Sequence, residues 1–243
     1  KALKKASLQL WFTQLEARPA ECEETIRSLL SDSELRRLKS TRNINKQREF
    51  LLSRALMRQA LSHHFQLPQS HWRFTEKPNS LPDIEPLSTD CYLSLSHSKG
   101  LICFAISSTP VGTDIEYTGK KRDFYELAQA VMTKQEIAHL HKSSEQQADT
   151  FYRIWSAKEA YYKALPVTEQ STFIFKDFSI SALSEECSNW KLIDGKAGAY
   201  RLAIVTRQVP ELIQYQMPVS DTAFQLEITD SLGNPLMLSS ASN

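Results

Sequence analysis

Apolar residues recur along this chain at two spacings, and the switches between them mark out its elements. Residues 8–12 form a compact apolar run that predicts a first strand. Across 21–38 the spacing turns helical (Ile26, Leu29, Leu30, Leu35, Leu38), with a break at Ser31-Asp32-Ser33, where Ser31 or Asp32 can cap a second helix. The strongest helical signal covers 45–65, where Phe50, Leu51, Ala55, Leu56 and Ala60 interleave with Arg48, Arg54 and Arg58. Pro68 and Pro78 punctuate the next stretch, and 81–89 reads as loop. Residues 91–96 and 101–106 then predict a hairpin joined by His97-Ser98-Lys99-Gly100. Residues 111–116 predict another strand. A helix is expected near Asp123, a second behind the capping box Thr133-Lys134-Gln135-Glu136, and a long one over 147–165, stopped by Pro166. Further strands are expected at 178–180, 190–193, 200–205 and 224–228, and a frayed end at 239–243. Helices mixed with antiparallel strands throughout make this an α+β protein.

Composition narrows the class. With 243 residues, 41% of them hydrophobic and 23% charged, the chain can bury a sizeable core and is not of the disordered type. A net charge of +1 gives no whole-molecule attraction to nucleic acid or to a membrane surface, so any anion must be held by a local patch. The four cysteines (Cys22, Cys91, Cys103, Cys187) form no Cys-x-x-Cys pair, which points to a reduced, cytoplasmic protein without a zinc ribbon. The basic start, Lys1-Ala2-Leu3-Lys4-Lys5, is followed by too short an apolar run for a signal peptide.

The chemistry concentrates between Val111 and Lys163. In the strand Val111-Gly112-Thr113-Asp114-Ile115-Glu116 the two acids lie two apart and share one side of the pleat. In the helical Trp155-Ser156-Ala157-Lys158-Glu159-Ala160-Tyr161-Tyr162-Lys163, Glu159 and Lys163 lie four apart on one face. If that face packs over the strand, three carboxylates and an ammonium converge. Carboxylates so gathered repel one another, and a divalent cation relieves the repulsion. An all-oxygen ligand set suits Mg²⁺ or Mn²⁺ rather than zinc.

These two segments, in this order and about forty residues apart, resemble the paired signatures of the 4′-phosphopantetheinyl transferases, in their larger, pseudo-dimeric subtype. The sequence departs at Thr113, where an aliphatic residue is commoner. The resemblance implies two similar α/β halves, divided near Pro110 into 1–110 and 111–243, with coenzyme A in the cleft between them. It implies a Mg²⁺ site at Asp114, Glu116 and Glu159, with Glu159, Lys163 and Asp114 carrying the catalysis. Lys158 would bind phosphate, and Ser96 and His97 would do so from a Ser-His-Ser turn. Arg48 would lie near the adenine or ribose phosphate, and Arg37 or Arg36 near the 3′-phosphate. Lys77-Pro78 resembles an adenine-cradling Gly-Lys-Pro segment, although Glu76 stands where Gly is usual. The implied activity moves phosphopantetheine from coenzyme A to a serine of an apo acyl or peptidyl carrier protein, releasing 3′,5′-ADP, with the enzyme acting as a monomer. Tyr117, Lys120, Lys121, Arg122, Phe124 and Tyr125 make a basic, aromatic surface suited to an acidic carrier. The same acids would also serve a metal-dependent nucleotide phosphohydrolase, and a coenzyme A-binding module without turnover is the third reading. His63, His64, His139 and His141 lack metal-ligand companions and read as structural.

Overall fold

The structure, a computed structural model, describes residues 6–15, 22–78, 80–120, 122–142, 146–185, 187–216 and 225–240. In chain order these form β1 (Leu8–Gln14), α1 (Cys22–Ser28), α2 (Asp32–Ser40), α3 (Ile44–Phe65), β2 (Arg73–Thr75), β3 (Asp83–Glu85), β4 (Tyr92–Ser98), β5 (Leu101–Ser107) and β6 (Val111–Tyr117). After them come α4 (Phe124–Val131), α5 (Lys134–Lys142), α6 (Gln147–Ala164), α7 (Val167–Gln170), β7 (Lys191–Ala197), β8 (Tyr200–Thr206), β9 (Leu212–Gln216), β10 (Leu226–Asp230) and β11 (Met237–Ser240). Among these helices none is long and apolar enough to cross a membrane.

Local chemistry explains the helix starts. Ser31 caps α2 in a reciprocal box with Glu34, Asn43 caps α3 through Lys46 N–H, and Thr133 and Glu136 exchange bonds ahead of α5. The β4–β5 turn needs two residues at positive φ, which Lys99 (41°) and Gly100 (88°) supply. The turn is therefore tighter than the sequence suggests. His97 and Ser98 belong to β4 itself.

Two sheets face each other, one ordered β11-β9-β1-β5-β4 and the other β10-β7-β8-β6. Alternation along each strand sorts side chains between layers. Leu101, Cys103 and Ala105 of β5 meet Leu8, Leu10 and Phe12 of β1 and Ile193, Leu202 and Ile204 of the opposite sheet in an inter-sheet core. Ile102, Phe104 and Ile106 point the other way, onto Leu51, Leu56, Met57 and Ala60 of α3. On the outer face of the second sheet, Leu192, Ala203 and Val205 receive Ala157, Ala160 and Ala164 of α6. The order is helix, sheet, sheet, helix. Burial on both faces is why β5 reads as an unbroken apolar run.

The small residues on α6 let it lie unusually close to β6. A Cβ added to Gly112 would fall 1.9 Å from the Ala160 carbonyl oxygen and 2.6 Å from Ala164 N. This contact sets the helix over the strand.

Several expectations are corrected. No strand forms at 178–180; Phe178 and Ser179 link two short 3-10 turns, Phe175–Asp177 and Ile180–Leu183. The loop expected at 81–89 contains β3, which pairs with β2. Strands β9 and β11 lacked a legible pattern, and β11 takes in Ser239 and Ser240, expected to fray. Residue 224, where a strand was expected to begin, lies outside the described residues, and β10 runs from Leu226. Pro110 itself lies on the β5–β6 link, and β9 and β11 belong to the first sheet, with β9 parallel to β1.

Candidate active site

The two sheets are joined at their edges by serine side chains. β6 ends its sheet, so one side of it has backbone N–H groups without a strand partner. The serines at alternate positions of β4 accept those bonds. Ser94 Oγ takes Thr113 N–H at 2.8 Å, Ser96 Oγ takes Ile115 N–H at 3.1 Å and Ser98 Oγ takes Tyr117 N–H at 3.1 Å. Two of the hydroxyls then donate onward, Ser96 to Asp114 Oδ1 and Ser98 to Glu116 Oε2, each at 2.9 Å. The acids of β6 are thereby held on the side facing β4, as the period of two requires. On the other face the Thr113 hydroxyl lies 3.8 Å from Cys103 Sγ, so the departure from an aliphatic residue is accommodated by a polar neighbour.

Helix α6 brings the remaining groups. Lys163 Nζ donates to Asp114 Oδ1 at 2.7 Å and to Ser96 Oγ at 3.2 Å. Trp155 Nε1 donates to Glu116 Oε1 at 3.3 Å. Burial pushes the half-buried Glu159 carboxyl up to about 7; the Asp114 and Glu116 charges add to the rise and Lys163 opposes it. Burial acts against the Lys163 ammonium, but the Asp114 carboxylate beside it, with Glu159 and Glu116, raises its pKa overall. The convergence expected from the sequence is therefore present: Asp114, Glu116, Glu159 and Lys163 line one cleft of about 1760 Å³.

Whether these residues suit a divalent cation turns on Asp114. Its Oδ1 is engaged twice, while Oδ2 is buried and has no hydrogen-bond partner. A buried carboxylate oxygen without a donor is costly, and a cation is the partner that an all-carboxylate neighbourhood selects. Among the described residues no group of three or more His, Cys, Asp or Glu side chains is placed to hold a metal ion as the site stands; the Lys163 ammonium provides the positive charge at Asp114. The chemistry of three carboxylates, all oxygen donors, suits a divalent cation.

The cleft continues toward α3 and the 76–87 segment, and here the expected ligands divide. Arg37 is exposed and lines the cleft, its Nε 3.5 Å from Glu76 Oε2. Lys77 lines it too, paired with Asp83 at 2.6 Å. His97 faces it from β4, with Nδ1 2.8 Å from Glu49 Oε1. Ser96 lines it but is 5% exposed, and its hydroxyl already serves Asp114, Ile115 N–H and Lys163, so it aligns the acid rather than offering a free donor.

Two expected phosphate ligands are elsewhere. Lys158 is fully buried on the far side of α6, where its ammonium donates to the Phe175 and Phe178 carbonyls and pairs with Glu136 at 2.9 Å. Its three donors are used, and it anchors the 3-10 turns and α5. Arg48 pairs with Glu23 at 3.0 Å and ties α3 to α1, outside the cleft lining.

Two of the arginines that interleave with the apolar positions of α3 are buried. Arg58 makes a bidentate pair with Glu34 at 2.8 and 2.6 Å, over the Phe74 ring. Arg54 does the same with Glu76 at 2.7 and 2.8 Å. Glu76, standing where Gly is usual, thus ties the Lys77 segment to α3. On the aromatic surface after Glu116, Phe124 is withdrawn into the core under α6, Tyr117 packs on Tyr200, and Tyr125 remains exposed. Lys121 lies outside the described residues.

The chain is similar to known proteins of one family. The family model of the 4′-phosphopantetheinyl transferase superfamily matches residues 110–205, from the start of β6 to the end of β8. The chain is 32% identical over 173 residues to the 4′-phosphopantetheinyl transferase Sfp of Bacillus subtilis, an alignment covering 68% of this chain and 76% of that protein. It is 27% identical over 161 residues to the 4′-phosphopantetheinyl transferase HetI of a Nostoc species, covering 65% and 68%. The 4′-phosphopantetheinyl transferase gsp of Aneurinibacillus migulanus is 28% identical over 116 residues, covering 47% of each chain.

Proposed function

The chain belongs to the 4′-phosphopantetheinyl transferase superfamily, and from that premise we propose how its own residues carry out the transfer. The reaction moves the 4′-phosphopantetheine group of coenzyme A to a serine of an apo acyl or peptidyl carrier protein. The serine oxygen bonds to the β-phosphorus, the bond from that phosphorus to the bridging oxygen breaks, and 3′,5′-ADP leaves. The observation that carries the site assignment is the meeting of Asp114, Glu116, Glu159 and Lys163 around the unpartnered Asp114 Oδ2.

Glu159 is the base. Its carboxylate takes the proton of the attacking serine, a contribution of roughly 10²–10⁴-fold in rate. Burial holds its pKa near 7 in the cation-free site, which makes it a stronger base than an exposed carboxylate. Lys163 stays charged and neutralises the departing 3′,5′-ADP, or returns a proton to it. A divalent cation, Mg²⁺ or Mn²⁺, held by Asp114, Glu116 and Glu159 would supply the remaining charge on the diphosphate. Arg37, Lys77 and His97 meet the nucleotide end of coenzyme A further along the cleft. Arg122 and the exposed Tyr125 are the parts of the carrier-docking surface still turned outward.

The reading of two related halves is supported by a shared plan, α3 lying on β1 and β5 as α6 lies on β6 and β8. One chain supplies both walls of the cleft, so a single copy suffices.

The test is the mass of the carrier. Incubated with coenzyme A and Mg²⁺, an apo carrier gains one phosphopantetheine, and Glu159→Gln and Asp114→Ala each abolish the gain while remaining folded. Full activity in either variant removes the site assignment. Breakdown of coenzyme A without an acceptor would move it to a phosphohydrolase.

A further inference from the structure

Glu116 differs from Asp114 in one respect: both of its carboxylate oxygens are already held, by donors from two different elements. Ser98 of β4 donates to Oε2 at 2.9 Å, and Trp155 of α6 donates its indole N–H to Oε1 at 3.3 Å. Each donor is itself fixed. The Ser98 hydroxyl accepts Tyr117 N–H at 3.1 Å and is buried, and the Trp155 ring lies against Phe175 at 5.4 Å between centroids. A glutamate has three rotatable bonds, and on an edge strand beside a large open cleft it would sample many rotamers. Clamped at both oxygens it keeps one, with a lone pair on each oxygen left over.

We propose that Ser98 and Trp155 are positioning residues of the transferase reaction, clamping Glu116 so that its carboxylate is presented to the cation in one orientation. The inference rests on the site proposed above and adds to it two residues whose part is to hold Glu116, one buried in β4 and one in the cleft wall. The serine ladder contains its own control. Ser94 makes the same kind of bond to β6, to Thr113 N–H at 2.8 Å, but has no carboxylate to hold. Loss of Ser94 therefore costs sheet-to-sheet bonding alone, whereas loss of Ser98 costs that bonding and the clamp.

The experiment titrates Mn²⁺ into the full chain with coenzyme A present, read by electron paramagnetic resonance of the free ion, with thermal unfolding measured alongside. Ser98→Ala and Ser94→Ala are expected to lose similar stability, but only Ser98→Ala weakens Mn²⁺ binding, by about 10-fold or more, the usual cost of removing a group that orients a metal ligand. Trp155→Phe keeps the ring against Phe175, removes only the indole donor, and is expected to weaken binding severalfold; it decides the matter if Ser98→Ala does not fold. Unchanged affinity in Ser98→Ala and Trp155→Phe, or an equal loss in Ser94→Ala, overturns the clamp. Failure of the unaltered protein to bind Mn²⁺ would instead overturn the cation site and the clamp with it.

Discussion

Replacing Glu159 by glutamine is expected to strengthen the fold while destroying the activity, and the gain should depend on pH. In the folded protein the Glu159 pKa stands at about 7, against 4.5 for an unperturbed glutamate, because burial and the Asp114 and Glu116 charges disfavour the ionised form. The folded state therefore binds this proton more tightly than the unfolded state, and stability falls as pH rises from about 4.5 to about 7. At 1.36 kcal/mol per pKa unit the full penalty above pH 7 is about 3 kcal/mol; partial exposure of the side chain reduces it, to about 1–3 kcal/mol. Glu159→Gln removes the charge and keeps the shape. The metal-free variant should match the unaltered protein near pH 4.5 and exceed it at pH 8. For a chain of this length each kcal/mol moves the midpoint by about 2–4 °C, so a rise of several degrees is expected at pH 8. The assay is calorimetric unfolding in chelator at both pH values, repeated with Mg²⁺ and coenzyme A, which should stabilise the unaltered protein more than the variant. A gain of equal size at both pH values, or a loss at pH 8, would refute the electrostatic account of this residue.

Other expectations are narrower. Gly112→Ala places a methyl group against the α6 backbone, whose nearest atom would be 1.9 Å away; a loss of about 1–3 kcal/mol or more is expected in urea unfolding, with transfer falling as α6 lifts Glu159 away from Asp114, and a near-native midpoint would contradict the close packing. Lys158→Met strands the buried Glu136 carboxylate and should cost about 3–5 kcal/mol, while the folded fraction keeps its affinity for coenzyme A; lost affinity at unchanged stability would return Lys158 to the phosphates. Arg58→Met should be comparably destabilising, about 3–5 kcal/mol, because it leaves Glu34, which is 0% exposed, with only the longer 3.8 Å contact to Arg54 in place of its bidentate pair; thermal unfolding decides it.

How much of this was legible in the sequence depended on how local the cause was. Helix starts were readable where Ser31, Asp123 and Thr133 bond within three residues of themselves. The site acids were readable because strand and helix periodicity place Asp114 with Glu116 and Glu159 with Lys163. The same arithmetic could have excluded Lys158, which at about 100° per residue stands about 140° round the helix from Lys163. The alternate serines 94, 96 and 98 were likewise a signal of period two, masked by the more familiar Ser-His pair among them. The fates of Arg48, Arg54 and Arg58 were not legible, since Glu23, Glu34 and Glu76 become their partners only once α1, α2 and the segment after β2 are packed. Strands of three residues, such as β2 and β3, are too short for a period to be seen.

The return of β9 and β11 to the first sheet bears on how the molecule is made. β1 has β5 on one side and β9 on the other, so its second neighbour is synthesised only after the catalytic helix and both strands of the β7–β8 hairpin. As the chain leaves the ribosome, the wall of the cleft built on β4 and β5 stays incomplete until nearly everything else exists. A message cut short after β8 would yield every acid of the site on a first sheet reduced to β1, β5 and β4.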